Sequence, residues 1–103
     1  MSLVAEDDGG FAGFLIATVG PTPPVYDPGG LTAMIDDFAV VSDAAWATTG
    51  RDLLGAATAR VRDRGATQLV VVCGHRDEPK RAALRAAGLS LASEWYTGPT
   101  EGE

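Results

Sequence analysis

The stretch Val40-Val41-Ser42-Asp43-Ala44-Ala45-Trp46-Ala47-Thr48-Thr49-Gly50-Arg51-Asp52-Leu53-Leu54 decides the fold, because an apolar run gives way within it to helical spacing. Leu53, Leu54, Ala57 and Val61 recur at that spacing while Arg51, Arg60, Arg62 and Asp63 face elsewhere, so a helix is expected over 49–64, ended by Gly65. Helix N-termini leave backbone N–H groups unpaired and carry partial positive charge. An anion such as a pyrophosphate is a natural occupant of such a turn.

Working outward, residues 11–19 form a continuous apolar run with β-branched and aromatic enrichment and read as a buried strand. The Pro- and Gly-rich segment 20–30 reads as a loop leading back antiparallel. A second strand is expected over 31–41, with Met34, Asp36, Phe38 and Val40 on one face and Ile35, Asp37, Ala39 and Val41 on the other. Downstream of the helix, 67–73 is apolar on both faces, as expected of a central strand covered by helices on two sides. Asp77-Glu78-Pro79 opens a second helix through Ala87 with Gly88 as terminator, and 89–97 alternates as a last strand. The order β-β-α-β-α-β implies an α/β or α+β layered fold with a mixed, mostly antiparallel sheet.

The 103 residues suffice for one domain, 1–103, with residues 1–10 and 100–103 expected to be flexible. Fourteen acidic against eight basic side chains give a net charge of -6, which repels nucleic-acid backbones. The basic residues concentrate between Arg51 and Arg85, compatible with a small phosphorylated ligand met locally. Cys73, the single cysteine, ends an apolar run and reads as a packed thiol, with the cytoplasm as the default compartment. No stretch approaches the length of a membrane span, and the start of the chain lacks a basic signal-peptide pattern.

The chain from about residue 11 to 99 resembles the Gcn5-related N-acetyltransferase (GNAT) family. Counting back from Leu53-Leu54 without a gap places Val40 at the family's strand-end valine. The same count puts Gly50 at the second glycine of its Arg/Gln-x-x-Gly-x-Gly/Ala signature. Gly88-Leu89 falls where the family has Gly-Phe, and Ser93-Glu94-Trp95-Tyr96 resembles its last strand. Ala45 and Thr48 stand at the signature's other two positions, and Leu84 where many members have a tyrosine held to protonate the leaving thiolate. The family's first strand and two N-terminal helices, which supply much of the acceptor side, have no counterpart in this reading.

The resemblance implies acetyl-CoA as cosubstrate, with backbone N–H groups of Ala45, Trp46, Ala47, Thr48, Thr49 and Gly50 toward the pyrophosphate. It also implies Arg51 adding charge and Val40 pairing with the pantetheine arm. In the alternative, Thr48 or Thr49 caps the helix and Gly50 permits close packing. Trp46 shields the cofactor or anchors the loop, and anchoring is preferred. Transfer to an amine needs a base, for which Asp36 and Asp37 are the candidates, Asp36 preferred; the alternative is that they face solvent or pair with an arginine. His75 in a Gly-His-Arg-Asp turn reads as a surface residue, no metal-ligand set is visible, and Arg76, Lys80, Arg81 and Arg85 read as a solvated helix face, the alternative being that the phosphates of coenzyme A draw on one of them. The expected function is transfer of acetyl to a small amine. A degenerate module acting by dimerisation or ligand sensing, and a plain α/β binding domain, are the alternatives. Exposed sheet edge makes a homodimer the expected state.

Overall fold

The computed structural model describes residues 1–21 and 29–101. Four strands form one sheet in the order β1-β2-β3-β4: β1 Ser2–Asp7, β2 Gly10–Gly20, β3 Leu31–Val40 and β4 Ala66–Val71. The first three run antiparallel, and β4 lies parallel to β3. A single 3-10 turn, Asp43–Ala47, and helix α1, Thr49–Asp63, make the crossover from β3 to β4; helix α2, Glu78–Ala86, follows β4. The expected mixed, mostly antiparallel α+β sheet is present, and β3 does return antiparallel to β2. Most of the loop between them, residues 22–28, lies outside the described residues, as do 102 and 103.

The ends of the sheet differ from expectation. Much of residues 1–10, expected to be flexible, is strand β1: Leu3 and Ala5 pair with Leu15 and Gly13 of β2 and pack against the core. The acids Glu6, Asp7 and Asp8 mark a hairpin turn, in which the Asp7 carboxylate accepts a hydrogen bond from the Gly9 N–H at 2.8 Å. Residues 89–97, expected as a last strand, form no strand and pair with no strand among the described residues. β4 is consequently an edge strand and not a central one.

Both helices pack on one face of the sheet, where two covered faces were expected. Leu15, Ala17, Ala33 and Ile35 from the strands meet Leu53, Leu54, Ala57 and Val61 of α1 and Leu84 of α2 in a single cluster. Burying a Leu or Val of this kind stabilises the fold by about 1.5–3 kcal/mol each. Gly13 of β2 lies between β3 and α1: a Cβ there would sit 2.9 Å from the Ala39 carbonyl oxygen of β3 and 3.2 Å from Leu53 Cδ1 of α1. Alternation sends Val4, Phe14, Ile16, Met34 and Val70 to the opposite face, which neither α1 nor α2 covers. The helices end where expected, at Gly65 and Gly88, both in the left-handed region with φ of 95° and 93°. The Asp77 side chain caps α2 by accepting from the Lys80 N–H at 3.3 Å.

One irregularity shapes the site. Ile16 pairs with Asp37 but Ala17 pairs with Ile35, so Asp36 is an extra residue in β3, a β-bulge. The bulge resets the alternation: Ile35 and Phe38 both point into the core, and Asp36 and Asp37 are both exposed. The simple two-face division expected for this strand therefore fails at Asp36.

Candidate functional site

β3 and β4 stay together only as far as Ile35 and Val71, where the Val72 N–H donates to the Ile35 carbonyl at 3.0 Å. β3 runs on to Val40 while the chain after β4 turns away into α2. The strands part there, and Lys80 of α2 reaches in. Its ammonium donates to the Phe38 carbonyl at 3.1 Å and lies 5.4 Å from the centroids of both the Phe38 and Trp46 rings. Lys80 is only 7% exposed, and burial pulls its pKa below the usual lysine value, opposed by Cys73, Asp77 and Asp37.

The turn that follows β3 is held from inside by Trp46. Its indole is buried, meets the Phe38 ring edge-on at a centroid distance of 4.8 Å, and presses on Gly50. A Cβ on Gly50 would sit 2.7 Å from Trp46 Cε3, so glycine at 50 is explained by this packing. Thr48 has φ of -120°, and its hydroxyl donates to the Ala45 carbonyl at 3.4 Å instead of accepting from the helix. α1 therefore begins without a side-chain cap, and helix geometry leaves the N–H groups of Thr49, Gly50 and Arg51 without intrahelical acceptors. Ala47 and Thr48 are exposed at the outer side of the turn, with Ala45 and Thr49 half-buried. Arg51 is exposed, its Nε 3.5 Å from Asp52 Oδ1. Val40, half-buried, ends β3 opposite Gly13.

The structure brings Val40, the turn 45–51 and the Asp36–Asp37 bulge onto one strand and its exit. It keeps the remaining candidates apart from chemistry. Burial pushes the Cys73 thiol up, with Asp77 and Glu78 adding to the rise and Lys80 and Arg81 opposing it, so this sulfur stays a protonated packing group. His75 is exposed, and its carbonyl accepts from Arg81 Nη1 at 3.1 Å. Arg81 and Arg85 flank Glu78 at 2.7 and 3.8 Å along the outer face of α2. Leu84 is buried in the core and offers no proton. Among the described residues no three His, Cys, Asp or Glu side chains group as metal ligands, and no helix is long and apolar enough to cross a membrane.

Sequence reasoning set Lys80 on a solvated helix face, whereas the structure buries it against Phe38 and Trp46. The signal was available: Lys80 lies four residues before Leu84, on the apolar stripe of an otherwise basic helix.

No protein-family model matches the sequence, and no curated protein matches it significantly. Solved structures do match in fold. A ribosomal-protein-alanine N-acetyltransferase from Brucella melitensis biovar Abortus 2308 superposes with a TM-score of 0.68 at 21% identity, over 98% of this chain and 70% of its own. An aminoglycoside acetyltransferase from an uncultured soil metagenomic sample gives 0.66 at 20%, over 95% and 65%. A probable acetyltransferase gives 0.71 at 18%, over 99% and 68%. This chain has the GNAT fold. It spans 65 to 70% of the length of these three structures. Within the GNAT fold, the parting of β3 and β4 and the turn into α1 are the features on which the candidate residues converge.

Proposed function

We infer that this chain binds acetyl-CoA at residues 40–51 and transfers its acetyl group to the nitrogen of a small amine, in the cytoplasm. The observation that carries the inference is an uncapped strand-to-helix turn, directly after two strands part, in a GNAT fold. The residues present fit such a cosubstrate. Trp46 is turned inward and leaves the outer side of the turn to small residues, and the N–H groups at the start of α1 lack a capping side chain. They would hold the pyrophosphate with help from Arg51, and the edge of β3 near Val40 would take the pantetheine arm. Bound acetyl-CoA supplies the activated acyl group.

Asp36 or Asp37 takes the proton from the amine's ammonium, and the freed nitrogen bonds to the acyl carbon as its bond to sulfur breaks. The bulge leaves both carboxylates exposed, and so within reach of an incoming amine. The leaving sulfur draws its proton from water, because Leu84 supplies none.

A second reading, a GNAT-like module that senses ligand or dimerises without chemistry, is favoured by one observation. The Lys80 ammonium already occupies the Phe38 carbonyl where the strands part.

Calorimetric titration with acetyl-CoA tests the site. Thr48→Asp supplies the missing cap, which preserves or raises stability, yet sets a carboxylate against the phosphates. Binding about tenfold weaker or worse is expected in a variant that melts no lower than the parent. Absence of heat in the parent protein overturns the acetyl-CoA site. Acetyl release over a panel of amines then separates enzyme from module. Asp36→Asn or Asp37→Asn should lower kcat by about 100-fold or more, and unchanged turnover in both removes the carboxylate base.

A further inference from the structure

Two unsatisfied features of the fold are complementary. The first is the outer edge of β4. Because the Val72 N–H points to Ile35 of β3, alternation along a parallel strand turns the N–H and C=O groups of Thr67, Leu69 and Val71 the other way, toward no strand among the described residues. An open, strongly β-forming edge is a template for one more strand. A groove of about 310 Å³ runs beside it, lined by Val61 and Arg62 of α1, Ala66, Thr67 and Leu69 of β4, and Leu89. Apolar side chains of an added strand would enter there.

The second feature is the segment after α2. The Leu89 N–H is tied to the Leu84 carbonyl at 3.0 Å, which fixes where the chain leaves the body. Beyond it residues 90–97 alternate Leu91, Ser93 and Trp95 against Ala92, Glu94 and Tyr96, a strand pattern. The Tyr96 hydroxyl donates to Glu94 at 2.9 Å, a pairing across two residues that extended backbone allows. Leu91, Trp95 and Tyr96 are 74%, 88% and 89% exposed. The radius of gyration, 15.0 Å, exceeds the roughly 13 Å of a compact chain of this length.

We propose that residues 90–97 of one chain add as a strand to the outer edge of β4 in a second copy, and that the exchange makes this protein a dimer. The occupant is a second copy because the arm already has the strand pattern the edge lacks, while its own chain holds it clear of that edge. The exchange pairs N–H and C=O groups on both sides and brings the arm's apolar side chains toward the groove. It does not depend on the acetyl-CoA reading, and its test uses no ligand.

Sedimentation equilibrium of the full chain from about 1 to 100 µM, with the double variant Ala92→Pro and Ser93→Pro alongside, decides it. Adjacent residues of a strand point their N–H groups to opposite sides, so one of the two prolines removes a ladder donor whichever side docks. Both positions are exposed, so the monomer fold should hold, which circular dichroism checks. A dimer in the parent and a monomer in the variant, with amide exchange at Leu69, Val71 and 90–97 slowed only in the parent, is the expected result. A monomeric parent overturns the proposal, as does a dimer that survives the prolines, which would place the contact on the uncovered sheet face around Val4 and Ile16.

Discussion

At Gly50 and Lys80 single side chains decide between packing and function. Gly50 lies under the Trp46 ring, and a methyl group there must displace an indole locked against Phe38. Such overpacking costs about 1–3 kcal/mol, against roughly 1 kcal/mol gained in helix propensity, so Gly50→Ala should destabilise by about 1 kcal/mol in a urea melt. A more stable variant would show that Trp46 moves freely. Lys80 carries a pH signature. Its folded-state pKa lies below its unfolded value, near the ordinary 10.5, so between the two the unfolded chain holds the extra proton and stability rises with pH. Below the folded value the penalty of the buried charge is fully present. Lys80→Met lacks that penalty, so its melting temperature relative to the parent should fall between pH 7.5 and 10. In the variant Cys73, whose raised pKa erodes stability above pH 9.0, also loses the Lys80 charge that opposes that rise, and the added erosion acts in the same direction. A pH-independent difference would mean that the ammonium is not buried.

Elements were legible in the sequence where their signals are local. Asp77-Glu78-Pro79 announced α2, and Gly65 and Gly88 announced both helix ends, because capping and left-handed glycines act within one turn. The cap at Asp77 also aims Lys80, since it is the Lys80 N–H that it holds. Asp77→Ala should cost about 1 kcal/mol of stability by thermal or urea unfolding, and no loss would show the 3.3 Å bond to be idle. The bulge at Asp36 was not legible, since a period of two carries no mark of one extra residue; only the pairing with Ile16 and Ala17 defines it. β1 was hidden by its acids, which belong to the turn and not to a polar leader. Of the site, the turn after Val40 could be placed from spacing alone. The Lys80 contact could not, because it joins residues 42 apart in sequence.

In the whole molecule, the segment 89–97 shows how a strand pattern fails without a partner, since the chain there forms no strand. Its alternation is that of a strand, yet a strand exists only against a neighbour, and among the described residues β4 is left as an edge. If the neighbour is a second copy, association is linked to folding, and mass action couples melting temperature to concentration. Each tenfold rise in concentration then favours the dimer by about 1.4 kcal/mol. The unfolding enthalpy, at about 0.7 kcal/mol per residue over two chains of 103 residues, is of order 140 kcal/mol, so the midpoint should climb by about 3 °C per decade. Scanning calorimetry at about 5, 50 and 500 µM reads this directly. The Ala92→Pro, Ser93→Pro variant should melt at one temperature throughout, because its folded state is a monomer. A parent midpoint that does not move over those two decades would separate the arm from the stability of the fold. A variant that climbs equally would assign the association to some surface other than the β4 edge.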